Sequence, residues 1–120
     1  LLARWPASAL RSTVILVPHH GSRTSSTAAW LRAVAPRQAV VQVGERNAYG
    51  HPSPAVMGRY AQSGIPVVTT PDCGAFVWES AQALADVQDH QSAHEGMTAP
   101  LGQPVLGRCW RATRTRHWQQ

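Results

Sequence analysis

The sequence predicts an α/β layered unit with the element order β-α-β-α-β-β. Three observations point to it: short apolar runs rich in β-branched residues, segments of helical spacing between them, and proline or glycine at nearly every join. Near the start, Arg4, Trp5 and Leu10 suggest a short helix broken by Pro6. Thr13-Val-Ile-Leu-Val17 is continuously apolar up to Pro18 and suits a strand buried on both faces. Ser25 and Ser26 are N-cap candidates for a helix in which Trp30, Leu31 and Val34 recur at helical spacing up to Pro36. Gln38 to Val43 (QAVVQV) is a second buried-type strand, ended by Gly44. Ser53-Pro54 is a cap followed by proline at the first helical position, after which Val56, Met57, Tyr60 and Ala61 mark one face and Gly64 is the stop. Ile65 to Thr69 reads as a third strand, Pro71-Asp-Cys-Gly74 as a turn, and Ala75-Phe-Val-Trp78 as a fourth strand. Right-handed crossovers make the first three strands neighbours.

With 120 residues the chain allows one small domain, and 43% hydrophobic content excludes wholesale disorder. No apolar run approaches the roughly 18 residues that cross a bilayer. The start at Leu1-Leu2, without Met or a signal-like segment, suggests a piece of something longer. The net charge of +5 comes from 11 Arg and no Lys against 6 acids. Arginine suits phosphate, although a GC-rich genome that encodes Arg by default is the simpler explanation of the excess. The charge divides the chain into a body over 1–80, an acidic linker or disordered stretch over 81–107, and a basic Trp/Arg tail over 108–120. Cys73 and Cys109 give one pairing, and their spacing fits no zinc ribbon. A disulfide fixing the tail to the body and two unrelated buried thiols both remain open.

The informative segment is Val17-Pro-His-His-Gly-Ser22, directly after the first strand. Histidines at the C-terminal end of a buried strand sit where α/β proteins build ligand and metal sites. Gly21 permits a sharp turn, and Ser22 can orient a ring or meet a phosphate oxygen. Asn47-Ala-Tyr-Gly-His-Pro52 follows the second strand and brings His51 to the same edge, while Asp72 follows the third. Imidazoles converging from neighbouring strand ends suit zinc or manganese. Each has a plainer reading as well: an adjacent pair among six histidines says little by itself, and His51 and Asp72 both sit in turn sequences. His90, His94 and His117 lie in weakly patterned sequence and read as surface residues.

The string VILVPHHGSRTSSTAAWLRAVAPRQAVVQVGERNAYGHPSPAVMGRYAQSGIPVVTTPDCGA, over roughly residues 10–80, resembles the C-terminal part of the metallo-β-lactamase-like domain of the ComEC/Rec2 DNA-internalisation (competence) proteins. The combination of P-H-H-G-S, N-x-Y-G-H-P and T-x-D-x-G carries the likeness, and Cys73 with the C-W-R ending resembles proteobacterial members. The resemblance implies the C-terminal half of an αββα sandwich, with the N-terminal half missing. It implies a bacterial inner-membrane parent that takes up DNA, with the soluble domain on the periplasmic side beside the parent's own membrane channel. It further implies metal-dependent phosphodiester hydrolysis: His19, His20 and His51 at the metal, His20 and Ser22 in catalysis, and Arg23 and Asn47 at phosphate. The family's H-x-D-x-D-H-type motif and its later Gly-Asp do not occur here. The isolated chain is therefore expected to hold zinc or manganese weakly or not at all, which leaves its status as an enzyme open. Two other readings stand beside this one: a non-catalytic module in which Arg and the Trp-rich tail contact nucleic acid, and an inactive truncated remnant.

Overall fold

The structure, a computed structural model, describes residues 3–79 and 107–113. Residues 81–106 of the expected 81–107 linker, the basic tail beyond residue 113, and His90, His94 and His117 lie outside the described residues. The elements run α1 (Ala7–Leu10), β1 (Val14–Leu16), α2 (Ala28–Val34), β2 (Gln38–Val41), α3 (Pro54–Gln62), β3 (Val67–Thr69), α4 (Thr70–Cys73), β4 (Phe76–Val77) and β5 (Arg108–Cys109), with 3-10 turns at Pro18–Gly21 and Trp110–Thr113. The protein is thus an α/β unit.

The first three strands are neighbours in one parallel sheet of order β1-β2-β3, as the crossover rule requires. Ile15 lies opposite Ala39, and Ala39 opposite Val67. β2 is the central strand and is buried along its whole length. β1 departs from expectation: it is an edge strand, Val14 and Ile15 are half-buried, and Leu16 is 60% exposed. A parallel strand is buried on both faces only where other elements pack on both faces of the sheet around it. β4 joins no strand of this sheet and pairs antiparallel with β5, Phe76 opposite Cys109.

The core forms between the sheet and the helices: Val17, Leu31, Ala39, Val41, Val56, Tyr60 and Ile65 are buried together, with Ile15, Trp30, Val43 and Val67 packed around them. The cap of α2 is Thr27 rather than either serine; its hydroxyl accepts from the Trp30 amide at 3.2 Å. α2 ends in left-handed Ala35, whose amide bonds the Leu31 carbonyl. α3 begins as predicted, with Ser53 accepting from the Val56 amide and proline in the first turn, and it buries Val56 and Tyr60 while Ala61 is exposed. The predicted turn at 71–74 is the single helical turn α4, in which the Thr69 hydroxyl donates to the Asp72 carboxylate. Asp72 is exposed, in keeping with turn chemistry.

A second small cluster, Val68, Cys73 and Cys109 with Phe76, surrounds a disulfide between the two cysteines. The bond closes a loop of 36 residues in sequence separation. On a chain-entropy estimate, it stabilises the fold by up to about 4 kcal/mol. β5 is thereby held to the body by both ladder and covalent bond.

Burial pushes the Tyr60 phenol above its usual range, partly opposed by its hydrogen bond with Ser26. The folded state thus keeps that proton more tightly than the unfolded chain does. This contribution is complete below pH 10, the ordinary tyrosine value, and is lost as pH rises through the raised one. Thermal melts taken from neutral pH into this alkaline range are expected to show falling stability in the wild type and a shallower fall in Tyr60→Phe. At neutral pH the variant should be weaker by about 1–2 kcal/mol, because buried Ser26 loses its partner. Parallel alkaline slopes in the two proteins would count against a buried phenol.

Candidate functional site

Because β1, β2 and β3 are parallel, the loops that follow them emerge on one edge of the sheet. After β1 the chain makes the 3-10 turn Pro18–Gly21, in which three successive residues are left-handed: His19 (φ 49°, ψ 40°), His20 (φ 53°, ψ 20°) and Gly21 (φ 83°). For each histidine this backbone costs about 1–2 kcal/mol, so the surroundings must hold it. The Ser22 amide closes the turn on the His19 carbonyl at 3.0 Å. The His20 ring donates from Nδ1 to the Gln42 carbonyl, just beyond β2, at 2.6 Å. The Gly21 carbonyl accepts from the Ser53 amide at 2.8 Å.

α3 fastens the rest of that loop. The Arg59 guanidinium donates to the Ser25 carbonyl at 2.7 Å and to the Arg23 carbonyl at 3.1 Å. One residue on, the Tyr60 hydroxyl and buried Ser26 hydrogen-bond at 2.9 Å. The second loop, after β2, is closed by Asn47: its amide nitrogen donates to the Gly44 and His51 carbonyls, and its oxygen accepts from the His51 amide at 2.8 Å. Thr70, at the start of α4, both accepts from the Val43 amide and donates to the Val43 carbonyl.

His20 and His51 line one cleft of about 440 Å³ with Gln42, Val43, Gly44, Asn47, Tyr49 and Thr70. Since a carbonyl only accepts, neutral His20 carries its proton on Nδ1 and leaves the Nε2 lone pair unprotonated. His51 is half-buried, and its Nδ1 is enclosed without a hydrogen-bond partner. His19 meets His51 edge-on with ring centroids 6.2 Å apart, and its Nδ1 is bonded to the buried Ser22 hydroxyl at 3.1 Å. Arg23 is exposed. The Asn47 side chain is engaged by its own loop, which makes it a clamp on His51. Among the described residues, no three His, Cys, Asp or Glu side chains form a group able to hold a metal ion. The imidazoles come together in pairs rather than as a set of three.

Sequence reasoning missed three residues of this edge. Arg59 and Thr70 act through backbone carbonyls, which no pattern of residue types discloses. Tyr49 had a visible signal, an aromatic at the tip of a loop closed by an Asx-type turn. It is 83% exposed and stacks on His51, centroids 5.9 Å apart and planes inclined by 23°.

The contact between the loops is tight at Gly21. A Cβ there would lie 2.7 Å from Pro52 Cβ, and the residue's φ is +83°. Gly21→Ala is expected to lower stability by about 2 kcal/mol or more and to displace the His51 ring resonances. A urea melt and a histidine NMR spectrum both unchanged would mean that the loops do not pack in this way.

No family model matches the chain, and no solved structure matches it. It is similar to a curated protein, "Competence protein ComA" of Neisseria gonorrhoeae, at 46% identity over 67 residues. The match takes in 56% of this chain and 10% of that protein, so the chain spans about a tenth of the length of the curated relative it matches. This similarity supports a relationship to competence proteins.

Proposed function

We propose that this chain is a segment of a DNA-uptake protein and forms one side of its metal-dependent, metallo-β-lactamase-like phosphodiesterase site, with DNA as the substrate class. The observation that carries the reading is the placing of His20 and His51 on one cleft, by loops that leave one imidazole's Nε2 free and the other's Nδ1 unpartnered. The similarity to a competence protein supplies the biological setting. Zinc or manganese, when bound, supplies the positive charge that a phosphodiester needs for hydrolysis.

The chain's own residues divide the work. His20 and His51 are the donors: the His20 ring is held by the Gln42 carbonyl, and His51 is placed by its main-chain amide, which donates to the Asn47 side chain. His19 is oriented by Ser22 and packs on His51 as its support. Arg23, exposed on the same loop, is the candidate phosphate contact. Two imidazoles are too few for a tight site, so metal affinity in the isolated chain is expected to be weak and further ligands must come from the longer protein. The buried disulfide supports maturation in an oxidising compartment, consistent with the periplasmic side of a bacterial inner membrane. No helix among the described residues is long and apolar enough to cross a membrane.

The test is manganese-dependent DNA hydrolysis by a protein carrying this segment together with the rest of its domain. His20→Ala or His51→Ala is expected to lower the rate at least about tenfold, with the fold intact by circular dichroism. Wild-type rates in both variants would remove these histidines from the chemistry and the reading with them.

A further inference from the structure

Tyr49 is 83% exposed at a loop tip, yet its ring is not without contacts. One face is stacked on His51 at 5.9 Å and 23°. Its loop is held by three hydrogen bonds from Asn47: two donated by the side-chain amide, to Gly44 and His51, and one accepted from the His51 amide. The ring also lines the same cleft as His20 and His51. The result is a flat apolar platform, positioned in advance and largely open to solvent, directly beside the imidazoles.

We propose that Tyr49 is a stacking platform for a nucleobase of single-stranded DNA, setting the strand so that the adjoining phosphodiester lies over His20 and His51. This rests on the phosphodiester reading above and adds to it the part of the substrate that is recognised. Base stacking on an aromatic ring tolerates any sequence, because every base presents a flat π face. It also selects against duplex DNA, whose bases are already stacked on one another. The cleft, at about 440 Å³, has room for one base with its sugar beside the ring. The Asn47 clamp ties the two roles together, since the residue that fixes the His51 backbone also fixes the loop carrying Tyr49.

The experiment uses the whole 120-residue chain and two fluorescent probes of equal length, an oligothymidylate and an abasic strand with the same phosphates, read by anisotropy at low salt. The wild type should bind the oligothymidylate more tightly than the abasic strand. Tyr49→Ala should weaken oligothymidylate binding by about tenfold and leave abasic binding unchanged. Tyr49→Phe, which keeps the ring, should stay within about twofold of wild type, and equal melting temperatures across the three proteins exclude a folding defect. If both probes bind and Tyr49→Ala affects them equally or not at all, the stacking role is overturned while the phosphodiester reading survives. If the wild type binds neither probe, or binds both equally, the stacking role is likewise overturned, while the phosphodiester reading is decided separately by hydrolysis in the longer protein.

Discussion

The docking of helix α3 against the loop that follows β1 is the constraint on which the rest of this edge depends. Contacts occur along the whole helix: the Ser53 amide on the Gly21 carbonyl, Arg59 on the carbonyls of Arg23 and Ser25, and Tyr60 on Ser26. Ser53 does two things at once, because its hydroxyl also caps the helix. Val56 and Tyr60, both fully buried, fix the helix to the sheet with about 1.5–3 kcal/mol of burial each. A left-handed backbone at two consecutive histidines persists because that packing leaves the loop no alternative path.

From this constraint the chemistry follows in steps. The parallel sheet delivers the loops to one edge. The Gly21–Pro52 contact sets their spacing, and Asn47 closes the second loop around His51. The Gln42 carbonyl then selects the His20 tautomer. These are interactions of backbone with side chain, made before any ligand arrives, and they are what pre-organises a site. The disulfide and the β4–β5 pair form a separate small cluster that adds stability and lines no part of the cleft.

Much of the fold was legible because it rests on local chemistry. Ser53-Pro54 reads as a helix start at any position in a protein, and the QAVV run reads as a buried strand. Leu16 was misjudged because apolarity does not tell a central strand from an edge one. The α2 cap falls at Thr27 rather than at Ser25 or Ser26 because Ser25 donates its hydroxyl to the Ser22 carbonyl, while Ser26 takes a left-handed backbone and turns its hydroxyl to Tyr60, 34 positions away. Gln38 makes the same point inside the sheet: a polar residue with no exposure, it donates from Nε2 to the Ala39 and Pro66 carbonyls while its Oε1 is buried without a partner. At the site, the histidines were visible from their place after the strands. Their pairwise arrangement was not, since it depends on backbone angles that non-glycine residues rarely adopt.

The central claim is that this edge holds an imidazole with its outward nitrogen free to bind a ligand. Nitrogen-15 NMR of the histidine side chains, taken at a pH where the rings are neutral, tests it most directly. The account predicts that His20 carries its proton on Nδ1, with Nε2 unprotonated, as its bond to the Gln42 carbonyl requires. A His20 ring protonated on Nε2, or one exchanging between tautomers as in an unfolded peptide, would contradict it.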